Sequence, residues 1–254
     1  MQYINESNMD NFKKIDSSSW ETLKSNVYLR LINIKTLDKF GDDIAYLKYL
    51  DLAIVFSVQE KRSQSMLSHM LTNAELQSFG ITVEDAYREA FDNTKHDKKR
   101  RIMTFKESTL KNNVMYPVLT FPSGMTLGTG GTSINNCGLI EDVDPNDNTE
   151  NILMLCNKYD IFGAAYMIVP SILEEIYERF DYENFYIIPL SIHVVMCVKG
   201  SYVTRNKKIY EAEDDLLDMI EAYNDQNNKS WQDILSYKIY YYMGDDGKKL
   251  FLIK

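Results

Sequence analysis

Ile152-Leu153-Met154-Leu155-Cys156-Asn157, Phe185-Tyr186-Ile187-Ile188 and Ile192-His193-Val194-Val195-Met196-Cys197-Val198-Lys199 decide the fold class of this 254-residue chain. Each is a short apolar run rich in branched or aromatic side chains, too short for a buried helix and of the length of a strand covered on both faces. Between them lie a second apolar segment at residues 161–169 and a helix predicted over 171–180. There Ile172, Leu173, Ile176, Tyr177 and Phe180 recur at helical spacing, and Ser171 with Glu174 has the form of a capping box. Strands and a helix mixed in this way predict an α+β fold: mixed or antiparallel sheets with packed amphipathic helices. The stretch 151–199 holds most of the contiguous apolar residues and is the expected core.

Working toward the N-terminus, residues 26–34 alternate as a strand, with Val27, Leu29 and Leu31 on one face and Tyr28, Arg30 and Ile32 on the other. Residues 50–58 form a second strand, and 37–49, containing Gly41, a long connection. A helix is predicted over 66–79, stopped by Gly80 as a left-handed C-terminal residue. Thr82 and Asp85 then cap a helix running to about Asn93. Five basic residues in the seven positions 95–101 form a connection to a third helix at 102–112. Residues 1–25 are polar, with Trp20 and Leu23 as their only large apolar contribution, and are expected to pack loosely.

Residues 116–147 hold most of the glycine and proline and predict an irregular connection with one short strand at 116–121. Beyond the central stretch, Leu216, Leu217, Ile220 and Tyr223 mark a helix over 214–223, with Glu211, Glu213, Asp214 and Asp215 at its start, where they complement the helix dipole. Residues 234–243 and 248–253 form a C-terminal β-hairpin through Gly244-Asp245-Asp246-Gly247. The domain expectation is one α+β domain over 26–254, or two α+β halves, 26–115 and 148–254, joined by 116–147.

Composition narrows the function classes. Twenty-eight basic against 37 acidic residues give a formal net charge of -9. Such a balance disfavours direct nucleic-acid binding, which needs a basic face to neutralise phosphates. Three cysteines, Cys137, Cys156 and Cys197, lie far apart in no C-x-x-C spacing, which fits reduced thiols in a cytoplasmic protein better than a disulfide framework or a zinc site. The N-terminus lacks a basic start and an apolar h-region, and no apolar run reaches the length of a membrane span. No membrane association and no cofactor are expected.

Ile152–Asn157, then Phe162-Gly163-Ala164-Ala165, then Tyr186-Ile187-Ile188-Pro189-Leu190-Ser191-Ile192-His193 resemble the DUF5688 family of uncharacterised bacterial, clostridial proteins. Asp51-Leu52-Ala53-Ile54-Val55-Phe56 resembles an N-terminal strand of that family, residues 27–33 another, and Leu235-Ser236-Tyr237-Lys238-Ile239-Tyr240 its strand before the closing turn. The resemblance spans most of 26–254 outside the Gly-rich segment. In the family the run ending in histidine carries a serine where Leu190 stands and an acidic residue where Val194 stands. The resemblance implies an α+β fold and transfers no catalytic residue.

Few residues offer chemistry. Alternation along 191–197 puts Ser191, His193, Val195 and Cys197 on one strand face, yet His193 and Cys197 would then stand about 13 Å apart, too far for hydrogen-bonded activation of a thiol. Gly124-Met125-Thr126-Leu127-Gly128-Thr129-Gly130-Gly131-Thr132-Ser133 could cradle an anion, with Gly128, Gly130, Gly131 and Thr132 as its candidates, but it has neither the lysine of a Walker loop nor a helix opening behind it. Asp142–Asp147 starts like a calcium loop and lacks the glycine at its sixth position and the glutamate at its twelfth. Three histidines, His69, His96 and His193, are too few for a histidine-rich metal site. The expectation is therefore a non-enzymatic protein that binds a protein partner, one with a basic surface, through its acidic exterior and the segment 117–147. An inhibitor encoded by a mobile element, competing for a basic groove, is a variant of it. The alternative is a small-molecule or nucleotide enzyme using the loop 124–133 with His193 or Cys197.

Overall fold

A computed structural model describes residues 19–62, 65–104, 119–120, 126–127, 151–159, 161–204, 208–227, 230–245 and 247–253. A single turn of helix, α1 (Trp20–Leu23), leads into β1 (Val27–Asn33). Leu23 is only 3% exposed and belongs to the main core, so packing begins inside the segment expected to be loose. A 3-10 helix (Ile34–Phe40) connects to β2 (Tyr46–Tyr49), β3 (Leu52–Arg62) and β4 (Ser65–Met70). β3 is the spine of this first sheet: β1, β2 and β4 all pair with it antiparallel, in the order β1-β3-β2 with β4 joined to the far half of β3. Its alternation works on both sides. Leu52, Ile54 and Phe56 face the main core, while Ala53 and Val55 join Ile32 and Met70 beneath Ile34, Leu37 and Phe40.

Two helices follow, each opened by a complete capping box. Thr72 and Glu75 start α2 (Asn73–Phe79), and Thr82 and Asp85 start α3 (Val83–Lys95). Between them Gly80 takes the left-handed conformation at φ 70° that a glycine adopts without strain. The C-terminal turn of α3 is tied to β1: Thr94 Oγ1 accepts from Leu29 N at 2.9 Å, and Asn93 Nδ2 donates to the carbonyls of Lys24 and Val27.

The second sheet gathers β5 (Arg100–Thr104), β8 (Ile152–Asn157), β9 (Phe185–Pro189), β10 (Val195–Lys199), β11 (Ile239–Met243) and β12 (Lys249–Ile253) in the order β12-β11-β9-β10-β8-β5, every neighbour antiparallel. A separate pair joins β6 (Leu119–Thr120) to β7 (Thr126–Leu127). A 3-10 helix (Gly163–Ile168) and α4 (Pro170–Arg179) lie between β8 and β9. Its central strands β8, β9 and β10 are buried on both faces, which is why they are unbroken apolar runs. Leu153, Leu155, Phe185, Ile187, Val195 and Cys197 enter the main core. Their alternates Ile152, Met154, Tyr186, Ile188, Met196 and Val198 lie under Val203 of α5 (Gly200–Thr204) and Ala212, Leu216, Met219 and Ile220 of α6 (Ile209–Asn227). The main core draws on both halves of the chain, from Leu23 to Tyr242.

The structure bears out the α+β class and the C-terminal hairpin, β11 with β12. Several local expectations change. The helix predicted over 66–79 is a strand up to Met70 and a helix only from Asn73, because pairing of residues 65–70 with 57–62 satisfies a backbone that the helical pattern left undecided. The helix predicted over 102–112 begins instead as β5, which closes the edge of the second sheet against β8, so the basic run links a helix to a strand. Its remainder, 105–112, lies outside the described residues. Part of the connection 37–49 is β2, and the apolar segment 161–169 is mostly 3-10 helix. Ser171 is not the cap of α4. The helix starts one residue earlier at Pro170, a first-turn position where the missing N–H costs no hydrogen bond. α6 runs well beyond the predicted 214–223 at both ends.

One buried polar seam joins the two sheets. The turn between β2 and β3, with Leu50 at φ 54°, carries Asp51 to the second sheet. Asp51 Oδ2 accepts from Ser236 Oγ at 2.6 Å and Oδ1 accepts from Tyr240 OH at 2.8 Å. Ser236 O in turn accepts from Asn224 Nδ2 of α6 at 3.0 Å. Ser236 and Tyr240 are fully buried, so removing the carboxylate strands two hydroxyls away from water. Asp51→Ala is expected to lower stability by about 2–4 kcal/mol, measured as the shift in urea midpoint at unchanged slope.

Candidate functional site

His193 sits in the turn ahead of β10, not on the strand face that alternation predicted; the strand starts at Val195. Ser191 Oγ accepts from the His193 backbone N–H at 3.1 Å and bends the chain there. The ring turns toward the preceding crossover. Nδ1 accepts from the backbone N–H of Phe162 at 3.1 Å, and Nε2 stands 3.4 Å from Asp233 Oδ1. Phe162 is held at φ 56°, ψ 22°, a left-handed conformation that a bulky residue rarely adopts.

The cause is local. Asn157 ties the loop that follows β8 by accepting from the N–H groups of Tyr159 and Ile161 and donating to the Ile161 carbonyl. Gly163 then comes so close to its surroundings that a Cβ would lie 2.6 Å from His193 O, 2.7 Å from Cys156 Cα and 2.9 Å from Asn157 N. Ala164 N donates to Ile192 O, and Ile192 N donates to Asp233 O, which knits the three segments together.

On the other side of Phe162 lies a buried cation. The guanidinium carbon of Arg30 is 4.1 Å from the Phe162 ring centroid and 5.6 Å from that of Phe40. Phe40 meets Trp231 edge-on at 5.0 Å, and Trp231 is two residues from Asp233. Arg30, Phe40, Trp231, Asp233, His193 and Phe162 thus close a ring of contacts at the junction of the two sheets. No single motif marked it in the sequence, since its members come from five segments.

Cys197 has no part in this cluster. It lies in the main core on β10, opposite Leu153 and Ile187, and burial pushes its thiol well above the usual range. A thiol in that state is not a nucleophile. The pairing of His193 with Cys197 is therefore not formed. Gly128, Gly130, Gly131 and Thr132 lie outside the described residues. His69 pairs with Glu75 at 2.8 Å, and His96 closes the end of α3 against Asp92 O, so the three histidines stand in three separate places. Among the described residues no group of three or more His, Cys, Asp or Glu side chains is placed to hold a metal ion.

A second candidate feature is the outer face of α6. Glu211, Asp214, Asp218, Glu221 and Asp225 are all exposed and recur at alternating steps of three and four residues. That spacing lines them up along one side of the helix, roughly 5 Å apart over about 21 Å. The helix contains no lysine or arginine. Among the described residues, none of Asp214, Asp218, Glu221 and Asp225 forms an ion pair. Like charges at this spacing oppose helix formation by about 0.2–0.5 kcal/mol per pair, and packing of the inner face offsets that cost. At the start of α6, Ile209 and Tyr210 are 62% and 53% exposed.

The protein is thus an α+β protein whose two larger antiparallel sheets share a main core, with an acid-faced helix on its outside. The chain matches DUF5688, a family of unknown function, over residues 1–243 and belongs to that family. No curated protein and no solved structure matches it. No helix among the described residues is long and apolar enough to cross a membrane.

Two measurements follow from this geometry. Gly163→Ala should destabilise the protein by about 1–3 kcal/mol, because backbone on three sides blocks the added methyl; thermal melting checks it. Cys156 and Cys197 should escape alkylation by iodoacetamide in the native protein and react fully in denaturant, as read by peptide mass spectrometry.

Proposed function

We propose that this protein acts by binding another protein, and that the carboxylate stripe of α6 is the contact surface, docking on a basic face of the partner. The observation that carries this reading is the stripe itself: five exposed carboxylates in register on a helix without one basic residue. Intrahelical stability favours interspersed lysines at these positions. The formal net charge of -9 adds long-range steering toward a basic partner. Ile209 and Tyr210 at the head of the stripe supply the apolar contact that a rim of charges lacks. A narrower form of the proposal takes the partner to be a nucleic-acid-binding protein whose basic groove α6 occupies, as an inhibitor carried by a mobile element would. Cytoplasmic residence belongs to the same proposal. The enzymatic alternative finds less support, since Cys197 is sealed in the core and both ring nitrogens of His193 have partners.

The test compares wild type with the triple variant Asp214→Asn, Asp218→Asn, Glu221→Gln in affinity capture from lysate across a salt series, followed by binding kinetics with the recovered partner. The expected result is a basic partner whose association slows with salt and slows about tenfold or more in the variant, while the variant melts no lower than wild type. A partner retained equally by both proteins and indifferent to salt would sink the proposal.

A further inference from the structure

We infer that His193 is an acid-sensitive latch on the strained turn at Phe162. In a neutral imidazole one nitrogen carries a proton and the other a lone pair. The group facing Nδ1 is a donor, the Phe162 N–H at 3.1 Å, so Nδ1 holds the lone pair and the proton sits on Nε2, toward Asp233 Oδ1 at 3.4 Å. A second proton, taken from solvent onto Nδ1, converts that acceptor into a donor. Two N–H groups then face each other and the hydrogen bond to Phe162 is lost, with no covalent bond of the chain broken.

That bond restrains a residue at φ 56°, whose left-handed conformation relaxes once the restraint goes. It also seats the ring on which the Arg30 guanidinium lies at 4.1 Å. Release of Phe162 therefore undoes the stack between β1 of the first sheet and the crossover of the second. Two charges stand near the ring: the Asp233 carboxylate beside Nε2 and the Arg30 guanidinium on the other side of Phe162. Among the described residues, other titratable groups on the elements packed around this cluster include Cys156, Lys158, Tyr159, Tyr166 and, through Trp231, Lys39. The Phe162 N–H donates to His193 Nδ1, so it is the His193 ring whose second proton breaks this bond.

Nitrogen-15 NMR of the intact protein tests this between about pH 8 and pH 5, the range in which imidazoles titrate. The expected result is a proton on Nε2 at the neutral end and a Phe162 amide protection factor that falls about five- to tenfold as the ring takes its second proton. His193→Asn puts a carbonyl oxygen where Nδ1 stood, accepts the same N–H and cannot titrate, so its Phe162 protection should stay flat. Asp233→Asn replaces the carboxylate facing Nε2 and should change the pH at which the step occurs. A neutral-state proton on Nδ1, a step that persists in His193→Asn, or a step unmoved in Asp233→Asn overturns the inference. Should His193→Asn fail to fold, the wild-type tautomer and the Asp233→Asn titration decide it.

Discussion

Burial of both faces of the central strands of the six-stranded sheet is the constraint on which the rest of the molecule depends. An antiparallel sheet can leave one side to water, with polar residues alternating along each strand. Here β8, β9 and β10 are apolar at nearly every position, so each needs a cover on two sides. The first sheet, α3, α4 and the 3-10 helix Gly163–Ile168 cover one face, and α5 and α6 cover the other. This explains why α6 tolerates its charge pattern. The inner residues Ala212, Leu216, Met219 and Ile220 hold the helix in place whatever its outer face carries.

Where the two sheets meet, apolar packing gives way to a few buried polar groups that fix alignment. Asp51 with Ser236 and Tyr240 fixes one sheet on the other, while Asn157, His193 and Gly163 fix the crossover against the end of β8 and the turn before β10. Apolar surfaces can slide past one another at small cost, whereas a carboxylate that must meet two hydroxyls accepts one arrangement. Burial and Asp51 together raise the Tyr240 hydroxyl far above its usual range, so it stays a proton donor to that carboxylate under all ordinary conditions.

Much of this was legible in the sequence because it is local. The strands β1, β3, β8 and β9, the capped helix α3, the Gly80 stop and the closing hairpin all announce themselves within ten residues. Local pattern failed where pairing decided. Residues 65–70 and 100–104 become strands because β3 and β8 offer them edges, a fact found elsewhere in the chain. Ser171 with Glu174 imitated a capping box beside a proline that starts the helix better. The stripe on α6 was partly visible, since its acidic residues were noted as dipole partners, but its length and exposure appear only once the helix is seen to run from Ile209 to Asn227. The ring around Arg30 joins residues some 200 positions apart, beyond the reach of any spacing argument.

The Asp51 seam also bears on the time course of synthesis. Its carboxylate emerges early, in the turn between β2 and β3, and its hydroxyl partner Tyr240 follows 189 residues later. At about 5–20 residues per second that is a delay of roughly 10–40 s. Over that interval the first sheet can form its own hydrogen bonds while the face meant for the main core lacks most of its cover. A chaperone that recognises exposed β-strands would meet this nascent chain with Leu52, Ile54 and Phe56 on display, and arrival of β11 both covers that face and seats Asp51.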